Sequence, residues 1–154
     1  MQITIREARM DELPILKAFE QGIILAERPF DSTLKEDPIS YYDLSEFITS
    51  ETATVVVAEA DGILVGSGFA DIRKAKDYYK HKTYAHLGFM YVSPEYRGKG
   101  INSKIMNALI AWSQEQGVNE IRLTVYPDNT SAIQAYEKVG FKAQLIEMRY
   151  TLSD

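Results

Sequence analysis

Residues 92–103 have the sequence Val-Ser-Pro-Glu-Tyr-Arg-Gly-Lys-Gly-Ile-Asn-Ser, which joins a strand-like segment to an amphipathic helix through a basic turn. Glycines let backbone N–H groups approach an anion closely, and the N-terminus of the following helix carries a partial positive charge. Arg97 and Lys99 add two cationic side chains. The stretch predicts a site for phosphate groups, although a simple surface turn before a helix has the same local features.

The composition predicts one globular domain over residues 1–154. The chain is 45% hydrophobic and carries a formal net charge of -5, which gives no indication of a nucleic-acid or anionic-membrane partner. Cysteine is absent, which excludes disulfides and thiolate chemistry and is compatible with the cytosol. The N-terminal segment lacks the pattern of a signal peptide, and no apolar run approaches the roughly 20 residues that span a bilayer. We therefore expect a soluble, cytoplasmic protein.

Hydrophobic periodicity upstream of the turn predicts a strand and two helices, followed by an antiparallel meander. The Asp61-Gly62 dipeptide is a strong signal for a two-residue hairpin between the second and third strands. The predicted elements are a strand at residues 2–6, a helix capped by Asp11 that runs to Ile24, a loop at 27–40, a short helix at 41–48, and strands at 52–60, 63–72 and 84–92.

Downstream of the turn, the periodicity predicts a β-α-β crossover. Ile101, Ile105, Leu109 and Trp112 recur on one face of a helix that Gly117 ends. A strand follows at residues 120–125, and it would lie parallel to the strand before the turn. The remaining elements are a helix capped by Asp128 or Asn129 and ended by Gly140, and a last strand or hairpin arm at residues 142–152.

The turn does not match the common phosphate motifs, because it lacks both the third glycine of a dinucleotide fingerprint and the Gly-Lys-Ser/Thr of a P-loop. Its Pro-x-x-Arg-Gly-x-Gly pattern is followed by Asn-x-x-Ala-x-x-x-Tyr-x-x-x-Gly-Phe over residues 129–141. Two motifs in this order resemble the GNAT superfamily of N-acetyltransferases, over about residues 84–141. The resemblance implies an α/β fold with a single-domain mixed sheet, in which an antiparallel meander precedes a β-α-β crossover with splayed central strands.

The resemblance also implies an activity. Acetyl-CoA would be the donor, and a primary amine of a small molecule or peptide would attack the thioester directly in a ternary complex. No metal, nucleic acid or membrane would take part, and a homodimer is expected by family analogy. A non-catalytic acyl-CoA binding or sensing module is the alternative, and a transferase with a longer acyl chain or a hydroxyl acceptor is a third possibility.

The donor site follows from the same resemblance. Residues 98–103 match the segment that wraps the pyrophosphate, three residues of the preceding strand match the backbone that pairs with the pantetheine arm, and an asparagine helps to frame the cofactor. The predicted cofactor-binding residues are Met90, Tyr91, Val92, Arg97, Gly98, Lys99, Gly100, Ile101, Asn102, Ser103 and Asn129.

Two residues are predicted to be catalytic. Tyr136 matches the tyrosine near the thioester sulfur that would act as general acid, whereas the same tyrosine without the motif would be a core residue. In some relatives the catalytic base is a carboxylate at the position that is Gly88 here. Strand alternation puts His86, Gly88, Met90 and Val92 on one face, so His86 could act as the base, or it could be a structural histidine.

The sequence gives weaker signals for the acceptor site than for the donor site. The first-helix region borders the acceptor pocket in similar proteins, so Glu27, Arg28 and Tyr41 are predicted to bind substrate, together with Tyr79. The basic and aromatic stretch at residues 74–82 fits a solvated connection. If this stretch faced the acceptor, it would favour a carboxylate-bearing substrate.

Overall fold

The computed structural model describes residues 2–152, which form a mixed sheet with helices on both faces. The five strands of the sheet lie in the order β1-β2-β3-β4-β5, antiparallel from β1 to β4, with β5 parallel to β4. The strands are β1 (Ile3–Glu7), β2 (Ala53–Ala60), β3 (Ile63–Lys74), β4 (Thr83–Val92) and β5 (Ile121–Arg122). The α-helices of these residues are α1 (Leu13–Glu27), α2 (Leu44–Thr49), α3 (Ile101–Glu115) and α4 (Thr130–Val139).

Helices α1 and α2 cover one face of the sheet. The apolar side chains of α1 recur at helical spacing, and they pack with Val57 and Phe69 of the sheet in one buried cluster. A short 3-10 helix at Met10–Glu12 precedes α1, so the α-helix begins at Leu13 rather than directly after Asp11. The buried apolar residues of α1 are Leu16, Phe19, Ile23 and Ile24.

Helix α3 covers the opposite face. Ile101, Ile105 and Leu109 are buried there, and they pack with Ala58 of β2 and Leu87 of β4 in a second cluster. The predicted face of α3 is therefore the buried one. Within the described residues, none of the helices has both the length and the apolar character needed to cross a membrane.

The predicted hairpin and meander are present. Asp61 and Gly62 both have positive φ, at 51° and 82°, as the primed turn of a two-residue hairpin requires. β2 and β3 therefore pair along almost their full length, from Ala53↔Asp71 to Ala60↔Ile63.

A bulge interrupts β4. Ser67 pairs with Tyr91 and Phe69 pairs with Gly88, so two steps along β3 correspond to three along β4. Phe89, inside the bulge, has a φ of 60°, and the buried Ser67 hydroxyl donates a hydrogen bond of 3.1 Å to the Phe89 carbonyl.

The bulge reverses the alternation of β4, so the prediction that His86, Gly88, Met90 and Val92 share one face is wrong. Met90 and Val92 pack on the α3 side of the sheet. A Cβ atom at Gly88 would instead lie 2.7 Å from the Phe69 ring, and the His86 ring centroid is 6.3 Å from that of Phe69, on the α1 side. One extra residue in the strand turns the following side chains to the opposite face.

The sheet opens between β4 and β5. The two strands pair only at Ala85↔Ile121 and His86↔Arg122 within the described residues. Beyond these pairs the edge of β4 that faces β5 is free, which confirms the predicted splayed strands. β5 is accordingly shorter than the strand predicted at residues 120–125.

The final predicted strand is missing from the described residues. Residues 142–152 form neither strand nor helix, and all of them are exposed. Because β5 contributes only two residues to the sheet, it offers little paired backbone for a further strand to extend.

We predict that Ser67→Ala destabilises the protein by about 1–3 kcal/mol, because it leaves the buried Phe89 carbonyl without its side-chain donor. Ser113→Ala is the matched control. Ser113 is equally buried, but its hydroxyl donates to Leu109 one turn back in α3, where the helix already provides a backbone partner. Chemical denaturation measures both variants, and equal losses would contradict a special role for the bulge hydrogen bond.

Candidate active site

The glycine turn before α3 is open to solvent. Gly98 and Gly100 have φ values of 77° and 79°, and a Cβ atom at either position would meet nothing within 4 Å. In the described chain, the amides of residues 98–103 donate to no backbone carbonyl. A row of free N–H groups at a helix N-terminus is a suitable anion site.

Arg97 ties this turn to the end of β4. Its Nε donates to the Val92 carbonyl at 2.9 Å, and the guanidinium lies 6.0 Å from the centroid of the Tyr91 ring. Lys99 lies in the same way over the ring of Tyr96, at 5.5 Å. Both cations are exposed beside the free amides, so they add positive charge where the sequence predicted it.

The next three predicted cofactor-binding residues, at positions 101–103, contribute backbone groups to the turn more than side chains. Ile101 is buried in the core, and the Asn102 amide group points along α3 to the sulfur of Met106 at 3.4 Å. Ser103 is half-buried at the start of the same helix. The structure therefore brings their N–H groups, rather than their side chains, to the turn.

The segment from Met90 to Val92 presents one free backbone edge. Tyr91 and Val92 pair with β3 on one side, whereas the side facing β5 has no strand partner in the described residues. The Tyr91 ring stacks on Phe19 of α1 with centroids 4.7 Å apart, which fixes the strand against the helix. An extended group lying in the opening could therefore form hydrogen bonds with this edge.

Helix α4 follows β5 and lies against α3. Asn129 caps it by accepting a hydrogen bond from the Ala132 amide at 3.3 Å, as the sequence predicted. Tyr136 is half-buried, and its ring meets that of Phe141 edge-on at 6.3 Å. Burial raises the pKa of the Tyr136 phenol, and the charge of Glu27 raises it further, so Tyr136 is a protonated donor at neutral pH.

Glu27, the last residue of α1, lies among tyrosines. Burial raises the pKa of its carboxyl group, and the Tyr41 phenol opposes this shift. The Tyr41 hydroxyl is buried near Glu27 but outside hydrogen-bond geometry, and it has no hydrogen-bond partner among the described residues. Burial also raises the pKa of Tyr42, whose phenol interacts with the backbone of Phe89 in the bulge. Glu27, Tyr41, Tyr42 and Tyr136 thus form a group next to the bulge, which we call the acceptor cluster.

Sequence reasoning missed the residue that positions the two neighbouring tyrosines. Glu20 is only 3% exposed, and its carboxylate accepts hydrogen bonds from the amides of Tyr41 and Tyr42 at 2.9 and 2.8 Å. The signal was present in the sequence, because Glu20 lies on the same helical face as Leu16 and Ile23. A charged residue on an apolar face requires a buried partner.

Asp31 and Tyr126 form a second contact that the sequence did not reveal. The Tyr126 hydroxyl donates to the Asp31 carboxylate at 2.8 Å, and burial is the main reason that the pKa of Tyr126 is raised to about 12. Hydrogen bonds from Thr33 and Tyr126 hold the pKa of Asp31 well below its usual range. Asp31 is thus an anion close to Glu27, whose pKa it raises.

Two predicted substrate residues make their described side-chain contacts with residues outside the acceptor cluster. Arg28 holds the following loop, with bonds of 2.8 Å to the Lys35 carbonyl and 2.7 Å to Asp37. Tyr79 lies between β3 and β4, where it contacts the guanidinium of Arg122 at 5.0 Å. These contacts fix both side chains in the described structure, and substrate binding by Arg28 and Tyr79 stays a prediction.

His86 lies where β4 and β5 are still paired, before the opening begins. Burial lowers the pKa of its imidazole, and the neighbouring Arg73 lowers it further, while Asp71 opposes these effects. The groups that act on His86 therefore differ from those that act on Tyr136. Among residues 2–152, no set of three or more His, Asp and Glu side chains is grouped so as to hold a metal ion.

An open mixed sheet with a free strand edge beside a glycine turn is the arrangement of an acyltransferase that binds its donor between two strands. The sequence profile of the acetyltransferase (GNAT) family matches residues 20–141. The chain belongs to this family, and the predicted fold and enzyme class are confirmed.

The individual relatives of this chain share less than 30% of its sequence. An aminoglycoside N(6')-acetyltransferase type 1 of Stenotrophomonas maltophilia is 28% identical over 111 residues, which cover 70% of each chain. Among solved structures, a mutant of the Bacillus halodurans protein BH1408 superposes with a TM-score of 0.87 at 19% identity, covering 97% of this chain and 99% of that one. An aminoglycoside N-acetyltransferase in complex with CoA superposes with a TM-score of 0.77 at 18% identity, covering 98% and 100%.

Proposed function

We propose that the protein transfers an acetyl group from acetyl-CoA to a primary amine of a small molecule or peptide. The observation that carries this proposal is the free edge of β4 beside β5, together with the free amides of residues 98–103 and the neighbouring pair Tyr136 and Glu27. The similarity to N-acetyltransferases, including one solved with CoA, supports the same donor.

The residues at the turn fit the phosphates of CoA. The free amides of residues 98–103 would bind the pyrophosphate, with Arg97 and Lys99 adding charge, and the glycines leave room for its approach. The free edge of Met90 to Val92 would pair with the pantetheine amides. Asn129, at the start of α4, would frame the opposite wall.

The acceptor cluster favours a cationic amine. Glu27 supplies a carboxylate, and Tyr41 and Tyr42 supply aromatic walls. An ammonium group is attracted by both kinds of group, so a protonated amine would be concentrated where the acetyl group arrives. The aminoglycoside acetyltransferases among the relatives act on substrates of this chemical type, and they support small-molecule amines as candidates.

The bound thioester supplies an activated acetyl group and a thiolate leaving group. In the proposed reaction the amine nitrogen forms a bond to the carbonyl carbon while the carbon–sulfur bond breaks. Backbone N–H groups near the β4 bulge would stabilise the negative charge on the carbonyl oxygen, and Tyr136 would give its proton to the departing sulfur. The ammonium group would first give one proton to Glu27, to the predicted base His86, or to water, which frees the nitrogen lone pair for the attack. A second proton would leave the nitrogen as the amide forms and would replace the one that Tyr136 gave to the sulfur.

The alternative is a module that binds acyl-CoA without turnover. It is favoured by Gly88, which has no side chain where some relatives carry a carboxylate, and where any side chain would collide with Phe69. Release of free CoA thiol distinguishes the two functions. Tight binding of acetyl-CoA with no thiol release across a broad panel of amines would support the module and rule out the transferase.

We expect Tyr136→Phe to lower kcat by about 100-fold or more, because it removes the proposed proton donor, while acetyl-CoA binds nearly as before. Steady-state thiol release and calorimetric titration with acetyl-CoA measure the two quantities. Equal losses of turnover and affinity would show that Tyr136 is a packing or binding residue.

We expect Gly100→Ala to weaken acetyl-CoA binding by about tenfold or more, because a side chain at φ 79° strains the backbone at the proposed pyrophosphate site. Gly117→Ala is a close control, since Gly117 also has a φ of 79° and an open Cβ direction, but lies after the C-terminal end of α3. Both variants should lose similar stability, about 1 kcal/mol. Similar losses of affinity in both would contradict the assignment of the turn.

The pH dependence separates the two candidate bases. If ionised Glu27 attracts or deprotonates the amine, kcat/KM falls as the pH drops through the raised pKa of Glu27, where the carboxylate gains a proton. Glu27→Gln should lower kcat/KM and remove this acidic limb, whereas His86→Ala should leave the limb in place. A limb that is kept in Glu27→Gln and lost in His86→Ala would identify His86 as the base.

A further inference from the structure

Gly22 lies in the interior of α1, where glycine is an unfavourable residue. The helix runs without a break from Leu13 to Glu27, and only proline weakens a helix interior more than glycine does. Gly22 is not among the glycines with positive φ, so its backbone conformation does not require the absence of a side chain. The reason for this glycine must therefore lie in what packs against it.

The ring of Tyr91 fills the space that a side chain at residue 22 would need. A Cβ atom at Gly22 would lie 2.7 Å from Cε1 of Tyr91, and 3.3 Å from both Cζ and the hydroxyl oxygen. Phe19, one turn earlier in α1, stacks on the same ring with centroids 4.7 Å apart and planes inclined by 25°. Phe19 and Gly22 thus hold the ring against α1, and we call these two residues the Tyr91 seat.

The Tyr91 seat fixes the end of β4 from the α1 side. The bulge turns the Tyr91 side chain toward α1, while its backbone pairs with Ser67 of β3. In the described chain, the opposite backbone edge of Tyr91 has no strand partner. The free edge of β4 is therefore held in place by β3 through its backbone and by α1 through the ring.

The same ring faces a cation of the glycine turn. The Arg97 guanidinium lies 6.0 Å from the centroid of the Tyr91 ring, and its Nε donates to the Val92 carbonyl at 2.9 Å. A cation near the face of an aromatic ring is attracted by it. A displaced ring would therefore disturb both the free edge of β4 and the position of Arg97.

We propose that Gly22 is a positioning residue for acetyl-CoA and that it acts through Tyr91. This inference rests on the proposed function, in which the free edge of β4 pairs with the pantetheine arm and Arg97 adds charge at the pyrophosphate. The three atoms nearest to a Cβ at Gly22 all belong to Tyr91, so the ring is the route by which residue 22 affects the donor site. The lower helix propensity of glycine is offset by a donor site that is ordered before acetyl-CoA binds.

Gly22→Ala tests this proposal. The atoms that it crowds belong to the end of a side chain, so we expect the Tyr91 ring to move while the domain stays folded. Acetyl-CoA should bind about fivefold more weakly or worse and KM for acetyl-CoA should rise accordingly, while kcat at saturation stays within about twofold. Isothermal titration calorimetry and steady-state thiol release measure these quantities. Tyr91→Leu, which removes the ring, should weaken acetyl-CoA binding by a similar factor.

The double variant shows whether the effect passes through the ring. In the Tyr91→Leu background, Gly22→Ala should change acetyl-CoA affinity by less than about twofold, because no ring remains to be displaced. Lys17→Gly is the control for helix stability. Lys17 is exposed and lies roughly 140° around α1 from Gly22, so this change weakens the helix away from Tyr91 and should leave acetyl-CoA affinity within about twofold.

Three results would overturn the positioning role of Gly22. They are unchanged or tighter acetyl-CoA binding by Gly22→Ala, a loss of the same size in both backgrounds, and an equal loss in Lys17→Gly. Because calorimetry does not depend on acetyl transfer, the positioning role can fail in a protein that is an active transferase. If the unaltered protein bound no acetyl-CoA, the proposed function would fail, and the positioning role would fail with it.

Discussion

The bond between the Ser67 hydroxyl and the Phe89 carbonyl lies at the point on which the rest of the site depends. At this level β4 takes up one extra residue and changes the face to which its side chains point, just after its pairing with β5 has ended at His86. Leu87 can therefore pack under α3 while Phe89 and Tyr91 pack under α1. In an uninterrupted strand, Leu87, Phe89 and Tyr91 would all point to the same face of the sheet. Phe89 and Tyr91 would then not lie on the α1 side, next to the free backbone edge.

Helix α1 carries two carboxylates into this region, and their surroundings give them different properties. Glu20 is fully enclosed, and two backbone amides satisfy it, so it acts as a fixed anchor. Glu27, two turns later, has phenols for neighbours and no such pair of donors, and burial raises its pKa. Buried backbone donors make Glu20 a structural residue, whereas Glu27 is the carboxylate that we propose to act on the acceptor, although both lie on the same helix.

Much of the fold follows from local rules that the sequence displays. Helical spacing located α1 and α3, Asp61-Gly62 located the hairpin, and Asn129 marked the start of α4. The bulge was not predictable in this way, because it arises from pairing with β3 and from a hydroxyl that is distant in sequence. The grouping of Glu27 with Tyr136 has the same origin, since the two residues are separated by most of the chain. Arg28 and Tyr79 carry suitable side chains, yet loop contacts give both of them other partners.

The anchoring of Tyr41 and Tyr42 by Glu20 has an evolutionary consequence. Residues 28–40 leave from the end of α1 and return to a point that the same helix holds, so they form a loop closed at both ends. Insertions or replacements within such a loop alter its own surface while its endpoints stay in place, and lengthening it costs little entropy. Under the proposed function, substrate preference would therefore diverge through this loop without disturbing the donor side.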